Sequence, residues 1–263
     1  MRNHPLARTR TTSLPAPFLR RIALRDDTGL PDQYPFDLPW LAGGDFELAF
    51  TEPVTIVVGE NGTGKSTLIE AIAAHCGYDE AGGGKGYRPV DHSGALDQSG
   101  SALGENLRGS WLPKVTSGWF FKSESFFSVA RYLDQAALEG MGAAPDYLSA
   151  SHGEGFMRFF RERLGRQGIY FMDEPESALS PRRQLQLLAI LADIQSRAAS
   201  QVIMATHSPI LMAIPGATLL EIGRRGLKPV ELQQTEHFRL YQDFIIDPED
   251  TIRRALRDFE EDA

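Results

Sequence analysis

The run Gly59-Glu60-Asn61-Gly62-Thr63-Gly64-Lys65-Ser66-Thr67 sets glycines, a lysine and hydroxyls where a chain of phosphates could be held. Glycine lets backbone N–H groups converge on phosphate oxygens, and a helix opening at this point adds the partial positive charge of its N-terminus. Gly59, Gly64, Lys65 and Ser66 fit the G-x4-G-K-[ST] phosphate loop, and the run lies between an apolar strand and a helical pattern, as that loop requires. Lys65 is expected to reach the β- and γ-phosphates, Ser66 to ligate Mg2+, and Thr67 to bond the α-phosphate.

Hydrolysis at such a loop needs a further metal anchor and a group that activates water. The stretch "IYFMDEPESALS" supplies both, because Asp173 and Glu174 follow an apolar run directly. Asp173 is expected in the metal's shell and Glu174 to polarise the attacking water. His207, in "MATHSPI", ends a second apolar run, where the strand ends of a doubly wound sheet meet a ligand. It is expected to contact the γ-phosphate. His75, His92 and His237 have no comparable setting and read as surface or packing residues.

The elements that must position these residues alternate. Residues 18–25 ("FLRRIALR") read as an early strand, and residues 46–50 as a strand that could pair with it. The β-branched "VTIVV" at 54–58 reads as a buried parallel strand. Leu68, Ile69, Ile72 and Ala73 share one helical face, closed by Gly77. Residues 78–118 show neither period and read as a long Gly-rich mobile loop. Residues 119–121 read as a strand, 126–138 and 156–164 as helices, 169–172 and 202–205 as strands. Ser180-Pro181 reads as a helix start, and 217–222 and 227–232 as a hairpin. Residues 247–263 read as a closing helix with Ile252, Ala255, Leu256 and Phe259 inward.

A chain of 263 residues with 42% hydrophobic and 24% charged residues reads as one soluble globular domain over residues 18–263. Its single cysteine, Cys76, excludes an internal disulfide framework and points to a reducing, cytoplasmic setting. No apolar run approaches the roughly 20 residues of a membrane span. The net charge of −8 argues against a surface built to grip nucleic acid. Residues 1–17 read as a flexible basic tail, its arginines either solvated or set to touch an acidic partner.

One cluster remains. "LSASHGEGF", ending at Phe156, is a second Gly/Ser group that also opens onto a helix. A Ser-His hydrolase reading is poor, since no G-x-S-x-G elbow is present. The order "GENGTGKST", "SHGEG", "FMDEP", "SALS" and "ATHSP" resembles the ABC-type ATPase superfamily over about residues 18–232. The resemblance implies an α/β P-loop NTPase fold: an ABC-ATPase-like mixed sheet core, an antiparallel β edge and a helical signature subdomain over residues 119–165. It implies that Ser151 and Gly153 belong to a signature loop that closes over ATP held by another copy's phosphate loop, and that Ser177–Ser180 resembles the segment crossing that interface.

The resemblance thus implies a Mg2+-dependent ATPase closing as a homodimer around two ATP, a nucleotide switch for a protein partner the sequence does not name. Transporter subunits of the family carry a Gln after the strand before the helical lobe; here Glu124, in "FFKSESFF", is the nearest occupant and a candidate metal ligand. The wording is closer to soluble SMC- and RecF-like ATPases of DNA maintenance, and most like small stand-alone bacterial ATPases, without the long coiled coil of SMC chains. A transporter nucleotide-binding subunit is the main alternative, a DNA-maintenance or defence ATPase another, and a phosphotransferase a weaker one.

Overall fold

The computed structural model describes residues 11–25, 29–41, 43–85, 99–115, 117–125 and 152–261. The run Val54–Val58 (β3) is buried at every position, which a strand sustains only when both faces of its sheet are covered. Thr218–Gly223 (β9) and Gln201–Ala205 (β8) flank it, both parallel. Ile169–Asp173 (β7) and Gly118–Lys122 (β6) continue the parallel set beyond β8. Gly226–Pro229 (β10) and Gly83–Gly84 (β4) close the seven-stranded sheet with antiparallel edges, in the order β10-β9-β3-β8-β7-β6-β4.

Alternation along these strands divides the core in two. Val57, Phe171, Ile203 and Ala205 face the helix Lys65–His75 (α1), packing with Leu68, Ile69 and Ile72. Ile56, Met172 and Met204 face the other way, onto His152–Leu164 (α3) and Pro181–Arg197 (α4), with Pro209–Met212 (α5) in the same cluster. A smaller antiparallel sheet sets Leu19–Leu24 (β1) between Glu47–Ala49 (β2) and Leu107–Trp111 (β5), and its buried residues join the α1 side. The expected α/β core with an antiparallel edge is therefore present.

Four expectations need correction. Residues 78–118 are not a structureless loop: β4, the helix Ser99–Glu105 (α2) and β5 lie within them. Gly100 and Gly104 are one helical turn apart, and a Cβ on them would come within 2.5 Å of Glu70 Cβ and 2.7 Å of the Ala71 carbonyl. The glycines thus admit α2 tightly onto α1, a role that composition alone makes look like a loop. Residues 86–98 lie outside the described residues.

The tail is held from residue 12 onward. Thr12 N–H donates to Gln167 Oε1 at 2.7 Å, Gln167 Nε2 donates to Thr12 O at 2.8 Å, and Ala16 N–H donates to Ala198 O at 2.8 Å. The expected signature lobe does not begin at residue 119, because β6 belongs to the main sheet. Its aromatics receive α3, with Phe121 ring centroids 5.2 Å from Phe156 and 4.8 Å from Phe160, and Trp119 5.2 Å from Phe159. The expected helix over 126–138 lies outside the described residues.

The closing helix forms over Pro248–Glu261 (α7), after a further helix Glu236–Ile246 (α6), but its apolar face is not inward. Ile252, Leu256 and Phe259 are 51%, 62% and 74% exposed, and Ile245 and Ile246 on α6 are 76% and 74% exposed. The helical period is real, but α7 packs along α6 and, among the described residues, no further layer covers its apolar face. No helix among the described residues is long and apolar enough to cross a membrane.

Candidate functional site

Ala205 pairs with Val57 on one side and Asp173 on the other, so β3, β7 and β8 end in register and their following residues share one sheet edge. Parallel sheets place ligands at this edge. The loop Gly59–Gly64 leaves β3 with Gly59 at φ +151°, Gly62 at +76° and Gly64 at +88°. Two of these have no room for a side chain: a Cβ at Gly59 would lie 2.7 Å from Ile222 Cγ2, and one at Gly64 3.0 Å from Leu38 and from Trp40 Nε1. Trp40 Nε1 donates to Thr63 O at 3.0 Å, clamping the loop from outside. Glu60, Asn61 and Gly62 are exposed at the tip.

Lys65 is buried, and its Nζ donates to Glu60 O at 2.8 Å, as does Thr63 Oγ1 at the same distance. Desolvation lowers the Lys65 pKa, while Glu174 and Asp173 oppose it. Ser66 Oγ donates to Asp173 Oδ1 at 3.1 Å, so the loop hydroxyl and the strand-end carboxylate meet as expected. Burial, with the nearby charge of Glu70, pushes Asp173 up to about 7, against the Ser66 hydrogen bond and the Lys122 charge. Thr67 Oγ1 lies 2.6 Å from Tyr34 OH, a partner the sequence did not suggest.

Glu174 follows in a left-handed conformation at φ 47°, a geometry non-glycine residues hold only where the surroundings enforce it. Its N–H donates to Ala205 O at 3.0 Å, and its own carbonyl accepts from Ser177 N–H at 3.1 Å. Glu174 Oε1 comes to 3.6 Å from His207 Nε2. Burial lowers the His207 pKa, as does the Lys65 charge, while Glu174 acts in the opposite sense. His207 Nε2 and Glu176 Oε2 are buried polar atoms without a hydrogen-bond partner among the described residues. Such orphaned atoms call for a missing partner.

Ser66 Oγ and Asp173 Oδ1 are hard oxygen donors of the kind Mg2+ takes, an ion that keeps most of its shell for water and phosphate oxygens. Among the described residues no group of three or more His, Cys, Asp or Glu gathers as a cage, so the protein offers part of a shell that phosphates can complete. Glu124 does not join it. Its side chain is 82% exposed and stands 3.8 Å from Lys122 Nζ, while that ammonium bonds Glu70 Oε1 at 2.6 Å.

Sequence reasoning missed two residues here. Glu176 Oε1 accepts the His207 N–H at 2.6 Å, and His237 Nε2 lies 2.9 Å from His207 Nδ1. Glu176 stands three residues after Asp173 in the same motif and was within reach of a closer reading; His237 lies beyond every motif. Gly153 falls in the first turn of α3, and Ser151 lies outside the described residues.

Residues 38–105 match a family described as "AAA domain", and residues 146–213 one described as "AAA domain, putative AbiEii toxin, Type IV TA system". The thiamine import ATP-binding protein ThiQ of Cereibacter sphaeroides is 30% identical over 169 residues, 58% of this chain and 70% of that protein. ThiQ of a Jannaschia species is 26% identical over 166 residues, 57% and 69% of the two chains. The SMC head domain from Thermotoga maritima aligns over 81% of this chain and 99% of its own, at 17% identity and a TM-score of 0.44, a likeness too distant to bear on function.

Proposed function

Since the chain belongs to the ABC-type P-loop ATPase superfamily and is an ATPase, we propose that it acts as a Mg2+-dependent clamp in which two copies close around two ATP. The observation that carries this is the meeting of Ser66, Asp173, Glu174 and His207 at the aligned ends of β3, β7 and β8. Bound Mg2+ would neutralise phosphate charge and orient the β- and γ-phosphate oxygens. Ser66 and Asp173 are the residues that would hold it. Lys65 leaves the Glu60 carbonyl for the phosphates. Glu174 accepts a hydrogen bond from the attacking water and draws its proton as the bond to the γ-phosphorus forms. His207 donates from Nε2 to a γ-phosphoryl oxygen. The bond to the β-phosphate oxygen breaks, leaving ADP and phosphate.

Ser151 and the N-terminus of α3, with the Gly153 N–H, are the groups we assign to the second copy's ATP, an anion site that a single protomer leaves unfilled. The exposed apolar residues of α6 and α7 support engagement of a further protein. The test is Glu174→Gln in saturating ATP with Mg2+: light scattering is expected to show a stable dimer, and a monomer under those conditions would remove the clamp.

A second reading, the nucleotide-binding subunit of a transporter, draws on what the two relatives are named for. Co-purification of the Glu174→Gln protein with a membrane protein would favour it. ATPase stimulation by DNA, falling steeply with salt, would instead favour a role in DNA maintenance or defence.

A further inference from the structure

The helix α6 begins at a firmly held cap. Thr235 is 1% exposed, its hydroxyl donates to Leu232 O at 2.7 Å and accepts from Phe238 N–H at 3.3 Å. A cap of this kind defines the first helical turn, and His237 stands on that turn. Its Nε2 lies 2.9 Å from Nδ1 of His207, with ring centroids 5.0 Å apart. The His207 backbone is held independently through its N–H to Glu176, so the imidazole is positioned from two sides.

Between two neutral imidazoles one proton occupies the shared contact, and the choice fixes the far nitrogen of each ring. If His207 donated from Nδ1, its Nε2 would present a bare lone pair to the Glu174 carboxylate at 3.6 Å. If His237 donates from Nε2, the His207 proton sits on Nε2 and faces that carboxylate as an N–H. A lone pair against an anion is repulsive, and a donor against an acceptor is attractive. The cation acting on this ring, Lys65, has its Nζ on the Glu60 carbonyl. The second arrangement is the stable one.

We propose that His237 is a positioning residue for ATP hydrolysis: it donates from Nε2 to His207 Nδ1 and so holds His207 in the tautomer that carries its proton on Nε2. The consequence for turnover rests on the functional reading above; the tautomer itself does not. In other sites, partners that set a histidine's tautomer are worth about ten- to a hundredfold in activity, and more where the wrong tautomer is trapped. The α6–α7 pair thereby gains a hydrogen-bonded route to the reaction centre, since whatever displaces α6 withdraws the donor.

The experiment is a long-range proton–nitrogen correlation spectrum of the nucleotide-free protein with 15N-labelled histidine, at pH 8, where an ordinary imidazole is neutral. Wild-type His207 is expected protonated on Nε2, and His237→Phe is expected to raise the population protonated on Nδ1. In turnover, His237→Phe should lower kcat about ten- to a hundredfold with KM for ATP little changed. His237→Gln, whose amide can donate from a similar position, should restore most of the loss and serves also if the phenylalanine variant folds poorly. A wild-type His207 protonated on Nδ1, or a tautomer indifferent to residue 237, overturns the proposal whatever becomes of the clamp. The expected tautomer with unchanged kcat in His237→Phe overturns the positioning role. The expected tautomer and kinetics in a protein that stays monomeric in ATP would support the role and count only against the clamp.

Discussion

Ser66 Oγ donates to Asp173 Oδ1 across 3.1 Å, joining the first turn of α1 to the last residue of β7 over 107 positions of sequence. The pair is where the two halves of the site meet, and burial acts strongly on its carboxyl. Desolvation and the charge of Glu70 push Asp173 up to about 7.

The sign of the resulting pH dependence is determined by which state keeps the proton. Unfolded Asp173 ionises near its ordinary value of 3.8, whereas the folded group holds its proton to about 7. Its contribution to stability is therefore fully present below about pH 4 and declines as pH rises to 7. The full decline is on the order of 4 kcal/mol. Urea midpoints in EDTA should fall from pH 5 to pH 8 in the wild type and much less in Asp173→Asn. An equal fall in both proteins would show that Asp173 is not the responsible group. Mg2+ with nucleotide should reverse the loss in the wild type alone.

Lys65 couples function against stability. Its ammonium is buried, and burial lowers its pKa. Lys65→Ala should weaken ATP binding by about a hundredfold or more, the scale of losing a desolvated charge partner. Without ligand, its thermal midpoint should equal or exceed that of the wild type. Titration calorimetry and a melting curve check both halves, and unaltered ATP affinity would remove the phosphate-loop assignment.

Ser151 tests the sharing of ATP between copies. Ser151→Arg should prevent ATP-driven dimerisation in the Glu174→Gln background while leaving ATP binding to the monomer intact. If both were lost together, the signature would not be acting on the neighbouring copy.

Gln201 is a structural counterpart outside the site. It is 0% exposed, its Oε1 accepts from Phe18 N–H at 2.9 Å and Leu19 N–H at 2.8 Å, and its Nε2 donates to Leu19 O at 3.0 Å. It ties the start of β1 to the start of β8, and hence the small sheet to the large one. Gln201→Leu keeps the volume but strips three buried backbone groups of a partner, at about 3–5 kcal/mol in all. A loss below about 1 kcal/mol in urea denaturation would mean the strands find other partners.

The sequence by itself determined the phosphate loop, Asp173 and Glu174, His207 and the buried strands that carry them. Each is specified by neighbours within a few positions: glycines where the backbone must turn, a carboxylate after an apolar run, a histidine after another. Tertiary structure alone decided the rest. Whether Gly100 and Gly104 belong to a loop or to a helix pressed on α1 depends on Glu70 and Ala71, some thirty residues earlier. The apolar period of α7 specifies a helix but not its cover, and Leu256 and Phe259 remain exposed because no layer of the described fold reaches them. His237 reads as an ordinary polar residue until α6 is laid across the end of β8. Its role comes from a 2.9 Å approach between residues 30 apart, a distance set by the packing of whole elements and carried by no local pattern.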